Sequence, residues 1–526
     1  MAGGGLFILV AYGSQNVILS GNPDFTYFYT TMKKYSHFAF ESATIPLEGP
    51  QELFFNQPIK LRAKIQRVGD LLSELYFTFT LPDIYSKYFD PNLPGPNNNR
   101  SQYQFQWVRY IGAQIIQNAT FLIGGTQVQE FDSDYIISTA FTDQDETQYN
   151  KWQELVGDIP ELYDPANGQY SGGVGNSVTR SRGLYPNVLL NTDPNIQAQN
   201  NFPSIPGRDI TLPLSFWFCQ NPSLALPLIA LQYHECEVQL ILRPIQDLYT
   251  ILDPSGFRVR PETMLNASIT QLQSGNVSYS TNAEPGQYIN QYLTDIGYAV
   301  PKLNTWPLNP RLQATYIYLT DDERKTFASK PLNYIVRQVT KYPFQNIMSR
   351  QIFDLYTHNP VPRLIILPRR TDSVQYLNAW TNYTNWWRIG QSPFISVSTT
   401  IPNGGYSGTN IVSMQKDIIR NIRILCDGNE IQEVKPLQFF KELSSWKYAT
   451  GVFPPGLAIY SFALDSSKWM KPSGSLNTSR VKNFQLDIDN WPLATDTQYA
   501  INYSVYVESI NFLVIEGGMG GMKYAT

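Results

Sequence analysis

Residues 115 to 131, IIQNATFLIGGTQVQEF, lie over residues 418 to 434, IIRNIRILCDGNEIQEV, without a gap at an offset of 303. Seven of 17 positions are identical, namely Ile115/Ile418, Ile116/Ile419, Asn118/Asn421, Leu122/Leu425, Gly125/Gly428, Gln129/Gln432 and Glu130/Glu433. Alternating aliphatics on either side of a Gly turn are what a β-hairpin needs, so one such pair alone can be convergence. The neighbours repeat as well. Each hairpin is preceded by two strand-like runs and followed by an aromatic one, SFWFC at 215–219 and YSFAL at 460–464. Late strands then come near 234–242 and 312–320 in the first half, and near 481–488 and 500–515 in the second. Two copies of one all-β domain satisfy this order, and whatever one half folds into, the other must also adopt.

The 526 residues exceed what one core usually supports, in keeping with two domains. A content of 34 Tyr, 28 Phe, 36 Pro and 34 Gly favours strands joined by many turns. In LLSELYFTFTLP, Leu75, Phe77, Phe79 and Leu81 alternate with Glu74, Thr78 and Thr80, the period of a half-buried strand. One helix is expected, over DETQYNKWQELVGDI, inside a long loop from 143 to 209. With eight or so strands per copy and no helix-rich crossovers, the expected fold is all-β, two tandem eight-stranded antiparallel jelly-roll β-sandwiches with long decorated loops. The expected division is an N-terminal arm over 1–24, a first domain over 25–329 and a second over 330–526. Its seam follows TDDERKTFA, read as a turn, and precedes a fresh strand, NYIVRQVTKYPF. Loops 143–209 and 370–412 are expected as outer decoration.

A net charge of −4 with scattered basic groups gives no footprint for phosphate neutralisation, so direct nucleic-acid binding is not expected. Three cysteines, Cys219, Cys236 and Cys426, make no disulfide framework and suit synthesis in a reducing cytoplasm. The apolar run Leu6 to Tyr12 lacks a basic lead and is too short to span a bilayer.

His234, Glu235 and Cys236 are side-chain types of bases, nucleophiles and zinc sites. If 231–242 is a strand, alternation sends His234 and Cys236 one way and Glu235 the other, so adjacent residues cannot converge. No Cys-x-x-Cys or His-x-x-x-His spacing supplies further ligands, and no Gly-x-Ser-x-Gly precedes a helix. The Gly-rich ends, MAGGG and EGGMGGMKYAT, lack the setting of phosphate loops and read as flexible arms. No enzymatic activity, cofactor or metal is expected. Of seven Asn-x-Ser/Thr sequons, Asn99 and Asn382 fall in expected outer loops and are the candidate glycan acceptors. Trp380, Trp386 and Trp387 in NAWTNYTNWWRIG are candidate surface contact aromatics, for a neighbouring molecule or, under an alternative reading of the chain as a carbohydrate-binding β-sandwich, for sugars.

Five segments resemble one family. MAGGGLFILVAYGSQNVILSGNPDFTYFYTTMKKYSHFAFES is similar to the amino terminus of the major capsid proteins of nucleocytoplasmic large DNA viruses. NPSLALPLIALQYHE, TYIYLTDDERKTFA, YSFALDSSKWMKPSGSLNTSR and NYSVYVESINFLVIEGGMGGMKYAT follow in that family's order to the end of the chain. The resemblance implies a double jelly roll and a structural role in the virion. It further implies a homotrimer that forms a pseudo-hexagonal capsomer among neighbouring capsomers of an icosahedral shell over an internal membrane. The apolar N-terminal arm is expected against minor capsid proteins or that inner membrane.

Overall fold

The structure, a computed structural model, describes residues 18, 20–30, 32–85, 104–165, 203–252, 258–266, 278–280, 287–294, 299–385, 417–468, 470–493 and 499–524. The chain divides into two units, Met1–Ala39 and Phe40–Thr526.

Strand formation follows the alternation of side chains. In β2 (Ile59–Lys64, after β1 at Phe38–Ile45), Ile59, Leu61 and Ala63 are buried while Lys60, Arg62 and Lys64 face out. β3 (Leu71–Leu81) buries Leu75, Phe77, Phe79 and Leu81 as the sequence predicts. The hairpin β4 (Ile116–Ile123) and β5 (Thr126–Phe131) follows, then β6 (Arg208–Pro213), β7 (Cys236–Leu242) and β8 (Arg311–Leu319). These eight strands form two sheets, ordered β1-β8-β3-β6 and β2-β7-β4-β5.

The second half repeats the plan. Its strands are β9 (Leu332–Ile347), β10 (Gln351–Asp354), β11 (Arg363–Arg370), β12 (Ile419–Cys426), β13 (Asn429–Pro436), β14 (Ala458–Ser461), β15 (Phe484–Asn490) and β16 (Ile501–Glu516). Their sheets run β9-β16-β11-β14 and β10-β15-β12-β13, the first set of orders with eight added to every label. This is a double jelly roll. Among the described residues, no strand before residue 320 pairs with one after 331.

The repeated segments form equivalent hairpins. Both central turn residues have positive φ in each copy, 57° and 80° at Gly124-Gly125 and 49° and 80° at Asp427-Gly428, the geometry a two-residue type I′ turn requires. Both hairpins slip register at the same place, between Phe121 and Leu122 and between Ile424 and Leu425. The turns are held alike, for Gly124 N–H donates to the Glu235 carbonyl at 2.8 Å and Asp427 N–H to that of Asn483 at 2.9 Å.

Some expected elements differ. TDDERKTFA is not a turn: Asp321–Ser329 is an α-helix with Asp321, Asp322 and Glu323 in its first turn, where carboxylates favour the helix dipole. SFWFC is not a strand but ends in a 3₁₀ turn, Trp217–Cys219, because Phe216, Trp217 and Phe218 gather around Phe121 with centroids 5.4, 5.3 and 5.0 Å away. The C-terminal glycines do not form a loose arm. Gly517 and Gly518, at φ 60° and 83°, turn the chain into β17 (Met519–Met522), which pairs back onto β16. The expected helix forms as α2 (Glu146–Leu155), preceded by α1 (Ser133–Asp143), whose near-complete burial leaves no apolar stripe to read.

α1 lies between the two sandwiches. Its start is capped by the Asp132 carboxylate, which accepts from Tyr135 N–H at 2.9 Å, and near its end the Thr142 carbonyl accepts from Thr450 and Gly451 N–H at 3.2 and 3.0 Å. A Cβ on Gly451 would stand 2.0 Å from the Phe141 carbonyl oxygen, an approach no side chain allows. Gly451→Ala is therefore expected to lower the thermal unfolding midpoint, whereas Gly125→Ala, in open space but at positive φ, is expected to cost only the about 1 kcal/mol of a strained turn. Scanning calorimetry on both variants checks the order.

Candidate functional site

The reactive trio is spread along a strand entry. The strand starts at Cys236, not 231, so His234 and Glu235 precede the ladder. The Cys236 thiol is buried, which pushes its pKa up to about 12 and keeps it protonated. Glu235 is exposed, 3.2 Å from Lys64 Nζ, and the His234 Nδ1 lies 3.0 Å from the Gly520 carbonyl oxygen. Tyr233 N–H donates to the Gly518 carbonyl at 3.0 Å, so the residues before β7 pin the C-terminal hairpin. Among the described residues, no three His, Cys, Asp or Glu side chains stand together to hold a metal ion.

Two other expectations change. Asn382 does not sit in an outer loop: it is 1 % exposed, with its Oδ1 accepting from Thr384 N–H at 3.1 Å and Thr384 O–H at 2.7 Å, so the folded chain has no room for a glycan there. Trp380 is no free contact aromatic, since its Nε1 donates to the Asp247 carbonyl at 2.9 Å and the Arg243 guanidinium covers its ring at 4.0 Å. Asn99, Trp386 and Trp387 lie outside the described residues.

The chemistry that the sequence did not announce is concentrated between the sandwiches. On β11, Leu364 and Ile366 enter the core of the second sandwich, while Ile365 and Leu367 join the core of the first. A sheet covered on both faces loses its polar side, and β11 is buried at seven of its eight residues. Charges placed on that second face must then find partners within the protein.

They do so in a closed set. Arg337 of β9, Arg363 of β11 and Glu508 of β16 are 2 %, 0 % and 0 % exposed at their side chains, and Asp143 at the end of α1 joins them. Arg363 donates Nε to Glu508 at 2.6 Å and its two terminal nitrogens to Asp143 at 2.5 and 3.0 Å. Arg337 donates to Asp143 at 3.1 Å and to Glu508, which also accepts from Tyr135 O–H at 2.9 Å. Two guanidiniums face two carboxylates, and the charge cancels. Beside this set, Arg369 holds Asp134 through contacts of 3.1 and 2.7 Å, and Lys341 reaches Asp132 at 2.6 Å. Three carboxylates of one sandwich thus meet four cations of the other across α1.

Burial alone would raise the Asp143 carboxyl, but Arg363 and Arg337 outweigh it and hold it below the usual range. Arg369 does the same for Asp134. With every charge engaged, the arrangement has no unpaired base or nucleophile to offer a substrate. It fixes the angle between two domains.

Removing one member of a buried pair leaves an uncompensated charge and costs about 3–5 kcal/mol, so Glu508→Gln is expected to lower the urea midpoint by that equivalent. The folded pKa values of Asp134 and Asp143 are depressed. Their stabilisation is therefore complete above the ordinary carboxylate pKa of about 3.9 and is lost as pH falls through the lower folded values. Urea titrations between about pH 5 and pH 2 should show wild-type stability falling, and the Asp134→Asn/Asp143→Asn variant falling less steeply.

Comparison with known proteins agrees with the topology. The profile of the family described as "Major capsid protein N-terminus" matches residues 26–281, and that described as "Large eukaryotic DNA virus major capsid protein" matches 323–521. The major capsid protein of Chrysochromulina ericina virus is 24 % identical, with 99 % of this chain and 100 % of that one covered. That of Paramecium bursaria Chlorella virus 1 is 25 % identical, with 99 % of each covered. Among solved structures, the quasi-atomic PBCV-1 virus capsid superposes with a TM-score of 0.63 at 20 % identity, covering 95 % of this chain and 100 % of that chain. The Faustovirus major capsid protein gives 0.63 at 14 % identity, covering 96 % and 94 %. With matches to both halves and relatives along its full length, the chain belongs to the major capsid proteins of the large eukaryotic DNA viruses and is a structural protein, not an enzyme.

Proposed function

We propose that three copies of this capsid protein close into a pseudo-hexagonal capsomer, and that such capsomers tile an icosahedral shell over an internal membrane. The observation that carries the reading is the twofold use of one strand order within one chain. Three chains with two like sandwiches each present six like corners, which lets a trimer meet neighbours with near-hexagonal symmetry. On this reading residues 25–329 and 330–526 are the two building blocks. Trp386 and Trp387 then serve contacts between capsomers, and Asn99 is the remaining glycan candidate.

The arm over residues 1–24 is assigned to minor capsid proteins or the membrane. In support, Ile18 within the arm is exposed, and directly after it the described residues of the same unit, Met1–Ala39, carry Phe25, Tyr27, Phe28, Tyr29 and Met32 at the surface. Synthesis and assembly are placed in the host cytoplasm, where three unpaired cysteines stay reduced.

Obligate interfaces of this kind commonly bury more than roughly 2,000 Å². The purified chain is therefore expected at three times its 59.9 kDa in a native mass measurement, and a stable monomer would contradict the reading. Deleting residues 2–20 is expected to leave that trimer intact while lowering shell yield; shells of normal yield and stability would overturn the role of the arm.

A further inference from the structure

His234 has a use that its neighbours in sequence do not suggest. Its Nδ1 lies 3.2 Å from the Gly520 nitrogen and 3.0 Å from the Gly520 carbonyl oxygen, so it accepts from one or donates to the other in either tautomer. In the hairpin of β16 and β17, Glu516 and Met519 flank the two-residue turn, and Ile515 and Gly520 are the next pair. Bonded and unbonded pairs alternate along an antiparallel ladder, so the N–H and C=O of Gly520 point away from β16. They meet the first sandwich instead. The Gly518 carbonyl accepts from Tyr233 N–H at 3.0 Å, and the imidazole covers both groups of Gly520. β17 is bonded to the second sandwich along one edge and to the first along the other.

The glycines of this segment are fitted to the first sandwich. A Cβ on Gly520 would stand 2.7 Å from Cδ2 of Leu231, a fully buried side chain with no room to swing, and 3.4 Å from Cγ2 of Ile123. One residue further, a Cβ on Gly521 would meet nothing within 4 Å. The turn conformation is carried by Gly517 and Gly518, the two with positive φ, so Gly520 is a glycine for close approach alone. The side chains tell the same story. Early on β16, Ile501, Tyr503, Val505 and Val507 belong to the core of the second sandwich, whereas Leu513 and Ile515 join that of the first and Met522 packs against it.

We propose that residues 517–524 are a strap that closes over Leu231 and Ile123 with His234 as its latch, and that it opens and closes without release of the ion-pair seam. Its hold on the first sandwich consists of backbone hydrogen bonds, one imidazole and the packing of Met522, while Met519 and Tyr524 stay 54 % and 50 % exposed. A segment with so little buried area opens at a lower free energy than the core it covers. The seam differs, because Arg337, Arg363, Glu508 and Asp143 separate only when the sandwiches do. In chain order the strap follows both sandwiches. The first, whose eight strands all precede residue 320, is therefore covered only once residues beyond the second are in place.

Native-state hydrogen exchange on the full chain reads the strap from both sides, through the amides of Tyr233 and Gly520. In the wild type these two are expected to exchange together, about tenfold or more faster than the amide of Leu240 in mid-β7 and with weaker urea dependence, since strap opening exposes little surface. Gly520→Ala is expected to speed exchange at Tyr233 by about tenfold again, with Gly521→Ala as the matched control and Leu240 unchanged in both. His234→Ala is expected to speed exchange at Gly520, and His234→Asn, whose Oδ1 takes the place of Nδ1, to restore part of the protection. If Gly520→Ala does not fold, pulse labelling during wild-type refolding carries the same expectation, with Tyr233 protected after Leu240. Exchange of Tyr233 at the rate and urea dependence of Leu240, or Tyr233 indifferent to Gly520→Ala, would overturn the strap. An Asn variant no better protected than the Ala variant would remove His234 as its latch.

Discussion

The relative placement of the two sandwiches depends on a neutral set of four buried charges. Arg337, Arg363, Glu508 and Asp143 come from three strands of one sandwich and a helix end of the other, and their bonds are satisfied together only at one angle and one register. Apolar contact alone would be more permissive, because it is non-directional and tolerates sliding. Guanidinium forks are directional, and a displaced fork here would face a carboxylate at the wrong spacing inside a dry seam. The energetic return of such a cluster over a well-packed apolar one is small or negative. Its return is geometric: it sets one sandwich against the other in a defined orientation.

The same seam explains the composition of the strands that form it. β11 reads RLIILPRR and is buried on both faces, so it lacks the alternation that marks β2. The sheet β9-β16-β11-β14 thus serves as the inner wall of one jelly roll and as the floor for α1 of the other. Arg337 and Glu508 sit in mid-strand, where a solvent-facing sheet would usually place threonine or lysine, and Arg363 opens β11. The hydrophobic cluster of the first sandwich runs through α1 into Val336, Ile365 and Tyr506, so the ion set is embedded in a continuous apolar core.

How much of this was legible depends on whether a feature is local. The duplicated hairpin was visible because identity at Gly125/Gly428 and Gln129/Gln432 records one turn geometry and one bulge, both set by neighbours in sequence. The eight-strand count and the split between two copies followed from that. α1 was missed since its residues are buried on nearly every side, though Asp132 three residues before Tyr135 was a usable cap signal. The seam was missed because Tyr135 and Glu508 meet across 373 positions. A trace of it was nevertheless present: single charges inside the apolar runs YIVRQV, RLIIL and VYVESI are costly unless buried partners exist. Asn382 and Trp380 belong to a segment whose length alone suggests an outer loop, whereas its first part folds back onto Asp247 and Arg243 through contacts distant in sequence.

The two equivalent hairpins differ in what covers them, for Val128 and Phe131 of the first are buried. The difference bears on how a duplicated domain becomes an assembly unit. After duplication both copies present the same edge, and one chain can cover only the edge that its own second half reaches. The other is left with Ile431, Val434, Leu443 and Trp446 toward solvent. An edge strand with no partner is normally blunted by charge, and β13 does carry Glu430, Glu433 and Lys435, yet Glu430 is held by Arg423 and Glu433 by Lys435. Charges that neutralise one another along a strand protect it only weakly, while apolar residues at the bulge keep the shape that in the first copy receives a sheet. Selection for a solitary soluble domain would replace them at little cost to the fold, because they contribute little to its core. Their presence is best accounted for by a surface whose burial is completed outside the chain.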